Sequence, residues 1–462
     1  MLLICCLFGF MSYPTLEAWT FWGEWRRHGA GYYLLRGHEI ADRPLHWLPS
    51  LAAWLMPGSF DIGSVTVGFF LAVSRWSLAE AIGRVLSFTP GARAVFVFLC
   101  VSAPAWQFSG LDRFQPAQLS FSFLLLSWYF LARDLIRPST NWLVFSWFCV
   151  ECSLLSYQAL LLVILCQPLM ALAFPSPMRR QGLKFMLVSW GGVSVYLIYR
   201  SIMLRAFPGA YTTVGTALVF KVEYLALLYQ TVWKAGLFSL LPIAAILAVM
   251  LSMVKSGGTH WRGRAGYATV AVALAPLSGL VYFSAKNWIS DPDRVLFPVQ
   301  VWMIAAFIPM AAFPAGMAAG AGEPLKRACL VVIGAAWAKT AAVMAYCAWI
   351  QISLYGSLGN QLIGEDPDRM ILLEDQTGIC GNFYTGWHVI VDRSAKLLGI
   401  PGNFTLCRGI ELKHQKAPGP SVPGASPPPC PDCRATGTRL KIVPGIHVAG
   451  YPLTVKIVPV PN

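Results

Sequence analysis

Four carboxylates lie near the start of the chain in a polar and aromatic segment, residues 17–58, that separates two hydrophobic runs. Ionisable groups at a membrane boundary are costly unless they are paired or used. A carboxylate held there can accept the proton of an attacking hydroxyl as a general base. The candidates for this role are Asp42, Glu17 and Glu24, and we place Asp42 slightly ahead of Glu17.

Asp42 is followed by Arg43, Pro44 and Leu45. Pro44 favours an extended Arg43 and marks the start of a short membrane-surface or re-entrant helix over residues 45–56. An acid just before that helix faces its positive end and stays ionised, while the Arg43 guanidinium suits a phosphate. In the alternative reading Asp42 only caps the helix and Arg43 binds lipid head groups.

Arg294 opens a late hydrophobic segment and is a second candidate for a phosphate, because a guanidinium fork matches phosphate oxygens. The alternative is a surface ion pair with Asp291 or Asp293. Tyr157 and Gln158 could donate hydrogen bonds to ligand hydroxyls, although packing between helices would explain them as well.

His46 follows Arg43 by one helical step and precedes Trp47. We interpret it as an interfacial side chain and give it no role in a site.

The elements that must position these residues are membrane helices. Hydrophobic residues make up 56% of the 462 residues and charged residues 12%, which no soluble domain of this size could bury. We predict an all-α polytopic protein with about eleven transmembrane helices. The first lies in residues 1–14; the others cover approximately 61–79, 93–109, 118–133, 140–153, 155–174, 183–203, 236–254, 266–284, 295–316 and 328–349. The pair 140–153 and 155–174 could be one broken helix or two short ones.

The distribution of basic residues predicts how the chain is oriented in the membrane. The net charge is +14, and the cationic residues are scattered between apolar segments, which argues against nucleic-acid binding. Clusters of basic residues such as Arg179 and Arg180 fall in alternate loops, and we assign these loops to the cytoplasm. Residues 17–58, Tyr157 with Gln158, and the C-terminal tail then lie outside.

The C-terminal region differs in composition from the rest. We predict a membrane domain over residues 1–350 and a small external α/β domain over residues 351–462, with strands near 371–380 and 440–443 and a helix over 385–398. Residues 417–431 form a linker rich in proline and glycine.

Four cysteines lie in this tail, namely Cys380, Cys407, Cys430 and Cys433. They could bind zinc, but only one C-x-x-C pair is present. Disulfides suit an external tail better, with Cys380–Cys407 and Cys430–Cys433 as the suggested pairs. We predict no metal in the candidate site and no cofactor. Asn403 heads a formal glycosylation motif.

Three short motifs resemble those of GT-C class integral membrane glycosyltransferases, a group that includes protein O-mannosyltransferase-like and bacterial glucosyl- or arabinosyltransferase-like enzymes. They are Asp42-Arg43-Pro44-Leu45, Ser153-Leu-Leu-Ser-Tyr157-Gln158 and Asp293-Arg294-Val-Leu-Phe-Pro298. The resemblance implies a polyprenyl-phosphate sugar donor, transfer on the external face with inversion, a loop carboxylate as base and no metal requirement.

One departure from that class concerns the acids after the first helix. Where many members carry an Asp or an Asp pair before a Trp, this chain has Glu17 and Ala18 before Trp19. Either Glu17 is a base with a longer reach, or Asp42 or Glu24 has taken the role, or the protein is inactive or only binds an acceptor.

We therefore expect a multi-pass glycosyltransferase of the bacterial inner membrane that transfers a hexosyl or a pentosyl group. Its partners would be the lipid-linked donor and an external glycan, lipid or protein acceptor. The alternative is a transporter, a flippase or a polysaccharide polymerase of the cell envelope; a third possibility is a non-catalytic assembly protein.

Overall fold

The computed structural model describes residues 43–46, 48, 62–85, 90–91, 93–94, 97, 115–168, 176–206, 226, 228–230, 273–282, 297–302, 323–380, 388–408, 438–448, 451–452 and 454–460. They form two compact units. The first contains residues 43–48 and 65–340 of this described part, and the second contains residues 62–64 and 341–462.

The first unit is helical. Its α-helices are α1 (Ile62–Val85), α2 (Gln115–Ile136), α3 (Thr140–Ser156), α4 (Leu161–Cys166), α5 (Ser176–Ala206) and the first part of α6 (Glu323–Gln361). A 3-10 turn at Gln158–Leu160 joins α3 to α4, and a second 3-10 segment covers Ala275–Tyr282.

Two of the described helices are long and apolar enough to cross a membrane, Pro116–Ile136 and Gly182–Ala206. The count rises to three if α3 and the segment Gln158–Cys166 together make one span. Twenty-one residues at about 1.5 Å each match a hydrocarbon core of about 30 Å. These apolar helices indicate a membrane protein, and the prediction of about eleven helices depends largely on segments outside the described residues.

Helices α2 and α3 pack through paired serines. The Ser120 and Ser153 hydroxyls are 3.0 Å apart, and the Ser127 and Ser146 hydroxyls are 2.8 Å apart. All four are fully buried. Within each helix the two serines are seven residues apart, so they recur on one seam of the helix. Small side chains that also hydrogen-bond let two apolar helices approach closely.

Helix α5 packs against α3 at a glycine. A Cβ atom on Gly192 would lie 2.6 Å from Cγ1 of Val150, so this contact requires glycine. An ion pair adds a second link, because Lys184 Nζ of α5 donates to Asp134 Oδ2 at 2.8 Å. The other carboxylate oxygen of Asp134 accepts the backbone N–H of Ser139 at 2.9 Å, just before α3 begins.

The second unit contains a four-stranded sheet. Its strands are β1 (Met370–Asp375), β2 (Asn403–Arg408), β3 (Thr438–Pro444) and β6 (Val455–Pro459), in the order β2-β1-β3-β6. Strands β1, β2 and β3 are parallel, and β6 is antiparallel to β3. A separate pair joins β4 (His447–Val448) to β5 (Tyr451–Pro452), and helix α7 (His388–Leu397) lies between β1 and β2 in the chain.

The core of this unit joins the last turns of α6, the sheet and α7. Leu354 and Leu358 of α6, Leu373 of β1 and Ala395 of α7 are all fully buried in it. Gly402, just before β2, has φ +119°, and a Cβ there would lie 2.6 Å from Ile371 Cδ1. Only glycine fits such a position.

Asn403 is held by two hydrogen bonds of its side chain. Its Oδ1 accepts from Lys396 Nζ at 2.7 Å, and its Nδ2 donates to the Asp368 carbonyl at 3.1 Å. The amide therefore stabilises the start of β2. The sequence motif alone could not reveal this use.

Asp375 ends β1 with a carboxylate that is 1% exposed. It accepts hydrogen bonds from the backbone N–H groups of Thr377 and Cys380, both at 2.8 Å, and from the Thr377 hydroxyl at 2.7 Å. Burial raises the pKa of Asp375 because removal from water opposes the charged form, although these hydrogen bonds act in the other direction.

The predicted C-terminal α/β region agrees with this sheet and helix, whereas its external placement and the boundary at residue 350 stay predictions. Helix α6 runs without a break across that boundary. Cys380 and Cys407 are both disulfide-bonded, while the suggested Cys380–Cys407 pairing also stays a prediction. Cys430, Cys433 and the linker over residues 417–431 lie outside the described residues.

Candidate functional site

The chain reverses sharply between α3 and the segment Gln158–Cys166. The two are bent by 117° at Tyr157, whose backbone is extended with φ −163° and ψ 122°. A bend beyond a right angle turns α4 back toward the side from which α3 comes. Such a helix end leaves carbonyl groups without their usual helical donors.

A short turn of residues 43–46, here called the 43–46 turn, contacts these carbonyl groups. The backbone N–H of Leu45 donates to the Leu155 carbonyl at 3.1 Å, and Nδ1 of His46 donates to the Ser156 carbonyl at 3.3 Å. The turn is closed by the N–H of His46, which donates to the Arg43 carbonyl at 3.0 Å. Because a carbonyl only accepts, His46 must carry a proton on Nδ1 here.

The Tyr157 ring is the centre of this contact. The Arg43 guanidinium carbon is 5.8 Å from the ring centroid, a cation–π distance, and the His46 ring stacks on it at 5.9 Å and 29°. Tyr157 and His46 are 8% and 7% exposed. Cationic and polar groups of the segment 17–58 are therefore packed directly on the reversal of the helix pair.

Two neighbouring helices hold the reversal in place. The Ser120 hydroxyl of α2 donates to the Tyr157 carbonyl at 3.1 Å. The Tyr196 hydroxyl of α5 donates to Gln158 Oε1 at 3.4 Å. Both bonds come from buried side chains, so the backbone at Tyr157 and the side chain of Gln158 are oriented from opposite helices.

The far end of α4 is also fixed. Trp128 Nε1 donates to Gln167 Oε1 at 2.9 Å, and Gln167 Nε2 donates to the Ser189 hydroxyl at 2.5 Å. The indole of Trp190 donates to the Leu165 carbonyl at 2.9 Å. With both ends of α4 tied to α2 and α5, the reversal is part of the rigid packing of this unit.

The groups at the reversal suit an oxygen-rich anion. The Arg43 guanidinium is a permanent cation with several donors, and the Gln158 amide adds neutral donors on the next residue after Tyr157. The buried Tyr157 ring lies beside them and packs against both Arg43 and His46. A carboxylate base would complete the chemistry, and Asp42 directly precedes Arg43 in the chain.

Two further polar residues are buried among the helices. Arg75 of α1 is 2% exposed and lies 5.9 Å from the Phe121 ring centroid. Glu151 of α3 is 8% exposed, and its Oε1 makes no hydrogen bond within the described residues. Ionisable groups in such positions commonly mark functional regions of membrane proteins.

The structure brings together three of the residues predicted for the site, Arg43, Tyr157 and Gln158. The other four, Asp42, Glu17, Glu24 and Arg294, lie outside the described residues, so their roles stay predictions. Among the residues that the structure does cover, no group of three or more His, Cys, Asp and Glu side chains could hold a metal ion.

His46 is the residue that sequence reasoning missed. We expected an interfacial side chain, but its ring is buried and bonded to the Ser156 carbonyl. Its spacing from Arg43 was the available signal, since residues three apart in a turn or helix share a face. The carbonyl that it contacts is 110 residues away and could not be predicted.

No protein-family model and no curated protein matches this chain. The single-particle cryo-EM structure of the arabinofuranosyltransferase AftD from Mycobacteria is similar with a TM-score of 0.40 and 12% sequence identity. The likeness covers 80% of this chain and 29% of the AftD chain, so this chain spans less than a third of AftD. A likeness of this degree does not define a family.

Proposed function

We propose that this protein is a membrane glycosyltransferase that moves a sugar from a polyprenyl-phosphate donor to an external glycan, lipid or protein acceptor. The observation that carries the proposal is the packing of the 43–46 turn on the reversal at Tyr157. It joins a guanidinium, an aromatic ring and an amide next to a chain segment rich in carboxylates.

Each group has a part in an inverting transfer. Asp42, or Glu17 or Glu24, accepts the proton of the acceptor hydroxyl as that oxygen attacks the anomeric carbon. The bond from the anomeric carbon to the phosphate oxygen breaks, and the electron pair leaves with the polyprenyl phosphate. Arg43, with Arg294 as a second candidate, stabilises the negative charge of that leaving phosphate.

The orientation belongs to the same proposal. Alternating basic loops support a multi-pass protein of the bacterial inner membrane with residues 17–58 and the C-terminal unit on the external face. A donor whose prenyl chain lies in the bilayer can then present its phosphate at the membrane surface, next to Arg43. The disulfide bonds of Cys380 and Cys407 suit an oxidising exterior.

The test is sugar transfer in membranes that contain the full-length protein. A panel of polyprenyl-phosphate sugars, hexosyl and pentosyl, is offered to wild type and to the Asp42→Asn and Glu17→Gln variants. We expect transfer by wild type and a loss of at least about a hundredfold in the variant that lacks the base. Glu39→Gln is the matched control in the same segment. Full transfer by both variants would exclude Asp42 and Glu17 as the base.

A transporter or flippase is the second candidate, and the reversal of α3 and α4 is the observation in its favour. Broken helices and a buried carboxyl such as Glu151 are features of transport pathways. The two functions differ in product. A transporter would move the labelled lipid across a vesicle membrane with its sugar intact, whereas the transferase releases polyprenyl phosphate.

A further inference from the structure

Tyr196 of α5 makes a contact that the proposed function has not used. It is 1% exposed, and its hydroxyl donates to Oε1 of the half-buried Gln158 at 3.4 Å. A buried phenol hydroxyl is costly unless it is hydrogen-bonded, and phenylalanine would fill the same space without that cost. The hydroxyl therefore has a specific use in this position.

The contact determines which end of the Gln158 amide is available. A carboxamide has an acceptor oxygen at one end and two N–H donors at the other. When Tyr196 occupies the oxygen, the N–H groups point to the opposite side. The two N–H groups of Nε2 can then donate to an acceptor oxygen of a ligand.

The neighbours of Gln158 indicate which oxygen this is. Arg43 lies over the Tyr157 ring and supplies the positive charge that a phosphate requires. The Gln158 amide is neutral and can donate to a phosphate oxygen or to a sugar hydroxyl, and the charge of Arg43 already matches the phosphate. Gln158 would therefore recognise the sugar, while Arg43 binds the phosphate.

We propose that Tyr196 is a positioning residue that orients the Gln158 amide toward one hydroxyl oxygen of the donor sugar, so that this pair determines sugar specificity. The proposal rests on the proposed function and names the ligand group that this part of the site recognises. A site built to hydrogen-bond a hydroxyl rejects analogues that lack it, because its own donors are then left without partners.

The test measures donor binding to the purified full-length protein in detergent. The probes are short-chain polyprenyl-phosphate sugars and their monodeoxy analogues, one for each ring hydroxyl. The variants are Tyr196→Phe, Gln158→Leu and the double variant, and Tyr129→Phe on α2 is the matched control for loss of a tyrosine hydroxyl. Melting temperatures check that each variant is folded.

We expect Tyr196→Phe and Gln158→Leu each to bind the parent donor about threefold to tenfold more weakly, the effect of one hydrogen bond. The double variant should lose no more than Gln158→Leu alone, because Tyr196 acts through Gln158. For one deoxy analogue, wild type and both variants should bind equally. Tyr129→Phe should match wild type with every probe.

Two results would overturn this proposal alone: unchanged binding by Tyr196→Phe, or a loss that is the same with every deoxy analogue. No binding of any donor by wild type would overturn it together with the proposed function. Failure of the proposed function alone looks different. In that case the donors bind with the expected pattern of losses, but no sugar is transferred in membranes.

Discussion

Tyr157 combines two properties at the reversal of the helix pair. Its extended backbone ends α3, and its ring packs against both Arg43 and His46. An end of this kind exposes carbonyl groups, and here the 43–46 turn supplies their donors. The residues that we propose to bind the donor are thus attached to the same point at which the chain reverses.

Replacement of Arg43 tests its proposed contact with phosphate. Arg43→Gln should lower donor affinity about tenfold to a hundredfold, because a charge-assisted hydrogen bond is lost. Arg43→Lys keeps the charge but not the planar fork and should lose less. Titration with polyprenyl-phosphate sugars measures both variants, with Arg84→Gln on the exposed surface of α1 as control. Equal affinity of Arg43→Gln and wild type would contradict the assignment.

Asp375 gives a prediction about pH. Since burial raises its pKa in the folded chain, the protonated form is favoured by folding. Its contribution to stability is fully present below the unfolded-state pKa of about 4 and is lost as the pH rises through the higher folded-state pKa. Asp375→Asn does not titrate. Hydrogen exchange of the β1 amides is measured for both proteins at the same pH. Wild type should be better protected than Asp375→Asn, by a larger margin at low pH than at high pH. A margin that grows as the pH rises would contradict this prediction.

Some residues of the candidate site could be predicted from the sequence, whereas the contacts between them could not. Arg43 and Tyr157 were predictable because charged and polar residues stand out between apolar segments. Their mutual contact was not, since 114 positions separate them and only tertiary structure joins such residues. The contact of His46 could not be predicted for the same reason, because its partner is a backbone carbonyl, which carries no sequence signal.

At the scale of elements, small residues determine how closely α2, α3 and α5 approach. Gly192→Ala would put a Cβ 2.6 Å from Val150 Cγ1 and should destabilise the protein by about 1–3 kcal/mol. Gly191→Ala is the matched control, because its Cβ would meet Trp147 Nε1 at an ordinary 3.8 Å. Thermal unfolding in detergent compares them, and equal melting temperatures for the two variants would contradict this packing.

The helices were predicted in part. Their apolar composition located α1, α2 and α5, and Pro138 explains why α2 ends near Arg137. The predicted helix over 155–174 instead begins with an extended Tyr157 and a 3-10 turn. No glycine or proline marks this break. It is stabilised by donors from Leu45, His46 and Ser120, which the local sequence cannot show.

At the scale of the whole molecule, the charge pattern predicts which regions face the exterior. A cysteine at the exposed Lys456 of β6 should react with a membrane-impermeant thiol reagent in intact cells. A cysteine at the exposed Thr140, at the start of α3, should react only in inverted vesicles. Wild type is the control for labelling of the native cysteines. Labelling of Lys456→Cys only in inverted vesicles would reverse the proposed orientation.

Composition predicted that the chain is a membrane protein, but it could not predict the strand order of the sheet. A chain that is 56% hydrophobic must place its apolar residues in lipid or in a core, and the described helices agree. The change of pattern after Gln351 predicted strands and a helix, and a small sheet and helix α7 lie in that part of the chain. Strand order could not be predicted, because the pairing of β1 with both β2 and β3 joins distant segments.

The most direct test is photochemical labelling by the donor. A polyprenyl-phosphate sugar with a photoreactive group on the sugar is crosslinked to the full-length protein in membranes, and the labelled peptides are mapped by mass spectrometry. We expect label in peptides that contain Arg43 and in peptides that contain Tyr157 and Gln158, with competition by unlabelled donor. Competed label confined to other segments, with none at the 43–46 turn or at Tyr157, would contradict it.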